Sequence, residues 1–500
     1  MTSSVPAAIP DSECLVLAFP LVVIRPVKRM EDHVREGSVN AVKVRLGIDI
    51  ACRATHQASC ADDAGRLLWS GHRFHTDAAE LEALWARLPE AAVEVMVVME
   101  PTRNAWVPLA SWFRRRGAIV VMVPSEQAAD LRAYYSKHAK TDRLDSRVLA
   151  RLPILHPDGL HLQHALGPGD PLKRAVKLRS SLVHRRSTCM QRLDALLELL
   201  GPAWVAAIGS DMTKTAFRFL AVYADPHQVK RLGRARLARW FARCSRGTWG
   251  DERAGEVVAA AEATLALWGD EGLDFVALAD DIAAEARIAL GLSEEIHELE
   301  ERITVLYRAA DPDQIVRSAP GVGKVLAAQI RGRLGDPDRF TSLAAARSFS
   351  GLVPRHHASG TTDHHGGPTK QGDACLREAL FMAADHARKV DPTLAARYQR
   401  LMTDTARHHT AALCTIAAVL LTRIVACLRS GQPYQLRDVD GRPITPAEGR
   451  SIVTQRYRIP PEIRAARRCM TSTHRPPRRD ERAKQGVAKR SKATPAPTSA

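Results

Sequence analysis

Val42–Ile50 (VKVRLGIDI) alternates apolar and polar side chains and then runs apolar, the pattern of a strand that enters a core. After turn residues at Asp62–Gly65, Arg66–His75 reads as a further strand. Ala78–Leu88 has helical spacing, with Leu81, Leu84, Trp85 and Leu88 on one face. Val93–Met99 (VEVMVVM) and Ala118–Val123 (AIVVMV) are short and apolar, as buried strands are. Between them a helix is predicted from about Trp106 to Arg116, stopped by Gly117. Further helices are predicted at Ser125–Tyr134 and Asp142–Leu152. Strands first, then strands and helices in alternation, make residues 41–155 an α/β layered domain.

The pattern changes after Pro153. Leu178, Leu182, Cys189, Leu193, Leu196 and Leu200 share one helical stripe that ends at Gly201-Pro202. Leu292, Ile296, Leu299, Ile303 and Leu306 step by four, three, four and three, which is a heptad seam. Residues 156–312 are therefore read as a long helical arm, either a coiled coil joining protomers or a hairpin packed on itself. Residues 313–435 predict a second, mostly helical domain that opens at Ala319-Pro-Gly-Val-Gly-Lys324 and contains a polar loop at Pro354–Gly372. It closes with helices at Ala374–Lys389, Pro392–Thr405 and Ala411–Leu428.

A length of 500 residues is enough for two or three cores. With 72 Lys+Arg against 55 Asp+Glu, the net charge of +17 suits a polyanionic partner. Residues 436–500 read as a basic tail: between Arg464 and Lys492 stand eleven Lys/Arg and two acids. Pro476, Pro477 and the final KATPAPTSA predict disorder there, with a role in non-specific nucleic-acid affinity. The nine cysteines form no CxxC, which argues against zinc ribbons and disulfide scaffolds and fits a reducing cytoplasm. Cys14–Ile24 is about half a membrane span and holds Pro20, so no membrane segment is predicted. No basic stretch precedes it, so no signal peptide is predicted either. Residues 1–40 read as a weakly structured extension, with Met30 as an alternative start.

Four acids carry the candidate chemistry. Asp49 ends the first strand, two residues after Gly47, and Glu100 ends the Val93–Met99 strand. Asp142 and Asp145 lie three apart at a helix start and so project from one face. Carboxylates on strand ends and a helix start can converge at one rim of a sheet. Hard divalent cations want such oxygen ligands, and Mg²⁺ (or Mn²⁺) keeps positions open for phosphate and water. Alone, Asp142 would read as a helix N-cap and Asp145 as a dipole partner. The order of strand-Asp, strand-Glu and Asp-x-x-Asp within the basic start His138–Asp145 (HAKTDRLD) is more specific.

Gly47-Ile-Asp-Ile50, Met99-Glu-Pro-Thr102 and Lys140-Thr-Asp-Arg-Leu-Asp-Ser146 resemble the signatures of the DEDD-type insertion-sequence transposases, a family that includes the pilin-gene invertases. Arg103 stands where that family has glycine. The C-terminal motifs of the family are matched by Pro320-Gly-Val-Gly323, Phe349-Ser-Gly-Leu-Val-Pro-Arg355, His356-His-Ala-Ser-Gly360 and Lys370-Gln-Gly-Asp-Ala-Cys-Leu-Arg377. The resemblance implies a ribonuclease-H-like (RuvC-like) N-terminal domain with a Mg²⁺ site at Asp49, Glu100, Asp142 and Asp145. It also implies that Ser359 is the nucleophile that becomes joined to DNA. A phosphoserine link conserves the phosphodiester bond energy, so strands can be exchanged without ATP. A serine hydroxyl needs a base or a metal to take its proton, with His356 or His357 as alternatives to the carboxylates.

Gly321, Gly323 and Lys324 suggest a helix–hairpin–helix-like turn that meets a phosphate, or simply a helix cap. Lys140, Arg355, Lys370 and Arg377 are further candidate phosphate ligands. The pairs His356-His357 and His364-His365 lack zinc-ligand spacing. The implied protein is a transposase or recombinase acting on DNA as a dimer or tetramer in the bacterial cytoplasm at the nucleoid, with a non-coding RNA choosing the sites. Two alternatives stand beside it: a Holliday-junction-type nuclease with water as nucleophile, and an inactive transposase-derived DNA-binding protein.

Overall fold

The computed structural model describes residues 42–135, 141–157, 160–162, 169–209, 211–269, 272–359 and 362–469. The predicted extension at 1–40, Lys140, and the tail beyond 469 lie outside these residues. Residues 436–469, the first part of the tail expected to be disordered, are instead ordered, with helices at Pro446–Arg456 and Pro461–Cys469. The chain divides into two compact units at Ala165/Leu166.

The first unit runs β1 (Val42–Asp49), β2 (His56–Asp62), β3 (Leu67–Phe74), α1 (Ala78–Ala86), β4 (Ala92–Met99), α2 (Trp106–Arg115), β5 (Ile119–Met122), α3 (Ser125–Tyr135), α4 (Asp142–Leu155) and β6 (His161–Leu162). Its mixed sheet has the order β3-β2-β1-β4-β5-β6. β2 is antiparallel to both β1 and β3, while β1, β4 and β5 run parallel. The alternation of β1 divides its side chains between two layers. Leu46 and Ile48 join Val97, Met99, Leu84, Leu109 and Phe113 in one core beneath α1 and α2. On the opposite face Val98 packs with Leu149 and Leu152 of α4. β2 was not among the expected strands. Its sequence, HQASCAD, looks polar, yet every residue of it is buried.

In the second unit, α5 (Gly169–Leu200) and α10 (Phe275–Ala310) are long helices packed along one another. Between them in sequence come α6 (Pro202–Ile208), α7 (Lys214–Leu220), α8 (Pro226–Cys244) and α9 (Asp251–Trp268). These surround a core built on Trp204, Phe219 and Phe241. The heptad seam of α10 is spent inside the chain: Leu292, Ile296, Leu299 and Ile303 are all buried, and Arg179 Nε donates to Glu300 Oε1 across the helix pair at 2.7 Å. Within this chain the seam closes a helical hairpin on α5. The stripe on α5 is also rotated from expectation, with Leu197 buried and Leu178 48 % exposed.

The chain continues with α11 (Ile315–Ser318), α12 (Lys324–Leu334), α13 (Leu343–Ser350), β7 (Pro354–Ser359), β8 (Thr362–Pro368), α14 (Ala374–Ala387), α15 (Pro392–Thr403), α16 (His409–Ser430), α17 (Pro446–Arg456) and α18 (Pro461–Cys469). α16 is long and apolar enough to cross a bilayer, but Leu413, Ile416, Leu420 and Ile424 are buried in the core shared with α12 and α14. The expected loop at Pro354–Gly372 is instead an antiparallel hairpin of β7 and β8, with Ser359 opposite Thr362 at its tip.

Candidate functional site

The register of the parallel pair fixes two of the four acids. Ile48 lies opposite Met99, so Asp49 and Glu100 follow side by side at the C-terminal ends of β1 and β4. Because side chains alternate along a strand, Asp49 shares a face with Gly47. Glu100 continues the face of Val98. Both faces are the one covered by α4.

The other two acids reach this rim because α4 runs antiparallel to β1. Its first turns touch β2 and β3, where Ser146 Oγ and Ser59 Oγ are 2.8 Å apart and Arg143 Nη2 donates to Ser70 Oγ at 3.0 Å. Further along, Arg151 Nε donates to the Gly65 carbonyl at 3.0 Å, beside the N-terminal end of β1. Asp142 and Asp145 therefore open the helix at the end of the sheet that carries Asp49 and Glu100. Thr141, rather than Asp142, caps this helix, accepting from the Leu144 N–H at 3.2 Å. Asp142 is left exposed in the first turn, free of the capping role.

Gly47 makes the close approach possible. A Cβ there would stand 2.2 Å from both the Ala150 nitrogen and the Ser146 carbonyl oxygen, which are backbone atoms of α4. The glycine of the Gly47-Ile-Asp motif thus makes room for the helix that delivers the other acids.

Two neighbouring residues escaped the sequence reading, and a third, Arg103, was noted there only as standing in for a glycine. Arg132 of α3 places one guanidinium nitrogen, Nη1, 3.1 Å from both carboxylate oxygens of Asp145, a charge-assisted contact between two little-exposed side chains. His56 Nδ1 accepts from the Ala51 N–H at 3.1 Å while Nε2 lies 2.8 Å from Thr76 Oγ1. It thereby holds the chain two residues beyond Asp49. Burial, and then the charge of His75, push the His56 pKa down, which favours the neutral ring that this bond needs. Arg103 adopts φ +49°, the left-handed conformation for which glycine is suited.

Four oxygen donors on one rim suit a hard divalent cation. Among the described residues, however, no three His, Cys, Asp or Glu side chains form a ready cluster, and Asp145 is engaged by Arg132.

In the second unit, Ser359 is exposed at the tip of the β7–β8 hairpin, and Arg355 is exposed at its base. Arg377 is turned inward and donates to the carbonyls of Ser350 and Lys370 at 3.1 and 3.3 Å. It stitches the Phe349–Gly351 turn to the Lys370–Gly372 turn, a positioning task that removes it from the exposed cations. Lys370 is exposed, at φ +58°. α11, the Ala319–Gly323 turn and α12 follow one another where the sequence suggested a helix–hairpin–helix-like turn or a plain helix cap. Gly321, at φ +76°, is needed there for packing: a Cβ would lie 2.5 Å from the Ala383 carbonyl oxygen of α14. Gly323 caps α12 and has open space around it, and Lys324 is exposed beside it.

Residues 46–202 match a family model described as a transposase of the DEDD type, and residues 313–399 match one described as the transposase IS116/IS110/IS902 family. The chain is thus an enzyme of the DNA transposase and recombinase class. It is 25 % identical over 403 residues to an insertion element IS110 protein of Streptomyces coelicolor, covering 79 % of this chain and 96 % of that one. It is 27 % identical to an insertion element IS116 protein of Streptomyces clavuligerus, covering 69 % and 84 %. A pilin gene-inverting protein of Moraxella lacunata is 29 % identical over 132 residues, 26 % of this chain and 40 % of the relative. With both models matched in order, the chain belongs to the DEDD-type insertion-sequence transposases.

Proposed function

We propose that this transposase exchanges DNA strands with Asp49, Glu100, Asp142 and Asp145 as ligands of Mg²⁺ and Ser359 as nucleophile. The observation that carries the reading is the shared rim: Asp49 and Glu100 on adjacent strand ends, with the start of α4 pressed against β1 at Gly47. The strand order β3-β2-β1-β4-β5, with β2 antiparallel, supports a ribonuclease-H-like fold for this unit. When bound, the metal supplies charge neutralisation and Lewis acidity at the phosphodiester. Arg132 must give up Asp145 for that carboxylate to become a ligand.

The exposure of Ser359 at a hairpin tip supports its role. Its Oγ forms a bond to phosphorus, its proton passes to a base, and the DNA 3′-oxygen leaves as a hydroxyl. The 5′-phosphate stays on the protein until a second 3′-hydroxyl reverses the step. Lys324, Arg355 and Lys370, all exposed, would hold phosphates, and Lys140 joins them from outside the described residues. The protein would work as a homo-oligomer at the nucleoid, with a non-coding RNA pairing to donor and target. The net charge of +17 suits a polyanionic partner.

The test is metal dependence. Asp49→Asn and Glu100→Gln should abolish cleavage of a supercoiled donor plasmid while the thermal melt stays cooperative. Arg132→Gln should lower the Mg²⁺ concentration needed for half-maximal cleavage, because it removes the competitor for Asp145. Cleavage by the Asp49 and Glu100 variants at the parental rate would refute the metal assignment.

A further inference from the structure

A cavity of about 210 Å³ lies in the second unit between α5, α10 and α12, beside the Ala319–Gly323 turn. Its walls include Val176, Ile303, Tyr307 and Ala328, all buried core residues. Its rim carries Arg179, Arg308, Arg317 and Lys324 against one carboxylate, Glu300. That carboxylate is taken by Arg179 at 2.7 Å. Among the described residues, Arg308, Arg317 and Lys324 make no ion pair. The Tyr307 hydroxyl is turned away to the Asp311 carboxylate at 2.6 Å, so the ring presents its apolar surface. The side chains of Gln314 and Gln329 add amide groups at the edge.

An apolar recess ringed by three uncompensated cations asks for a flat, partly apolar ligand attached to an anion. The cationic rim disfavours a metal ion, and a volume of about 210 Å³ is too small for a long fatty chain. The volume is below the ~300 Å³ at which sites for drug-sized molecules begin, a scale that suits a single ring system. A duplex keeps its bases stacked inside and offers the rim phosphates alone, leaving the recess empty. An unstacked nucleotide fills both parts.

We infer that this cavity captures one unstacked base of a single-stranded nucleic-acid segment, with the flanking phosphates on Arg308, Arg317 and Lys324. The inference rests on the reading of the chain as a nucleic-acid-binding recombinase and adds where, and in which form, a single strand is held. The same chemistry is offered by a displaced DNA strand and by an RNA loop.

The test is fluorescence anisotropy with the full chain and four labelled probes: twelve-nucleotide single-stranded DNA and RNA, a twelve-unit abasic DNA strand, and a twelve-base-pair duplex. At least one single strand should bind roughly tenfold tighter than the abasic strand, the scale of one stacked base. DNA against RNA identifies the source. Thr304→Trp, at an exposed position on the cavity wall, should erase that preference and leave duplex affinity unchanged. Val325→Trp fills the recess from α12 and gives a second, independent reading if the first variant folds poorly. Equal affinity for the base-bearing and abasic strands, or a preference that survives both tryptophans, overturns the inference while duplex binding keeps the wider reading intact. Loss of binding to all four probes in the parent protein overturns both.

Discussion

Replacing Gly47 with alanine adds one methyl group at the tightest helix–strand contact of the first unit. That carbon would meet the Ala150 nitrogen and Ser146 oxygen at 2.2 Å, where ordinary contact begins at 3.4 Å, so α4 has to retreat by about 1.2 Å. Both obstructing atoms are backbone, and no rotamer change relieves them. Overpacking of this kind costs about 1–3 kcal/mol, which lowers a unit of this size by about 2–4 °C per kcal/mol. The effect on chemistry should be larger than the effect on folding. Asp142 and Asp145 ride on α4, while Asp49 and Glu100 stay with the sheet, and a misplacement of about 1 Å at a reacting centre is worth about 100-fold in rate. The assay is plasmid cleavage at saturating Mg²⁺ beside a thermal melt of the same preparation. A Gly47→Ala protein that melts cooperatively about 2–12 °C below the parent and cleaves at least about 100-fold more slowly fits the argument. Parental cleavage by the variant would show that the position of α4 does not set the acidic rim.

Two further outcomes follow from the same region. Arg103→Gly should raise stability by about 0.5–1 kcal/mol, since the left-handed backbone at φ +49° penalises a side chain; a lower melting temperature would contradict this. Burial depresses the pKa of both His56 and His72 below the usual 6.5, helped by His75 and Arg87 respectively. The unfolded chain then binds protons more readily, so stability is complete above pH 6.5 and declines as the pH falls below it. Melts between pH 7.5 and 5.5 should show this decline, and His56→Gln should weaken it; a flat profile in the parent would refute the sign.

The parallel strands were legible because the C-terminal parts of β4 and β5 are buried on both faces and read as apolar runs. Glu100 could be placed because it stands where the apolar run of β4 stops, and Asp49 because it ends β1. β2 was hidden because several of its polar groups find partners inside the fold: Ser59 meets Ser146 at 2.8 Å, and the Asp62 carboxylate accepts the Ala64 and Arg66 N–H groups. Local composition records polarity and is blind to such partners. The seam of α10 shows a related limit. Heptad spacing states that a face is apolar, and only tertiary structure states that α5 covers it. The β7–β8 hairpin has two strands and no core of its own, so PRHHAS and TDHHGGP carry no alternation to read. Arg132 and Arg377 were misjudged or missed because a basic side chain looks the same whether it meets a phosphate or a protein oxygen. Gly321 could have been judged by its neighbours only once α14 was in place.

The central claim is that a serine and a set of metal-bound carboxylates together exchange DNA strands. It is tested most directly by incubating the protein with end-labelled donor DNA and Mg²⁺, quenching in denaturant, and resolving the products on a denaturing gel. The parent should give a protein-linked DNA band that mass spectrometry maps to Ser359 joined to a 5′-phosphate. Ser359→Ala should bind the same DNA and give neither the band nor cleavage. Full cleavage by Ser359→Ala, with no shifted band from the parent, would contradict the account and leave a metal-dependent nuclease that uses water.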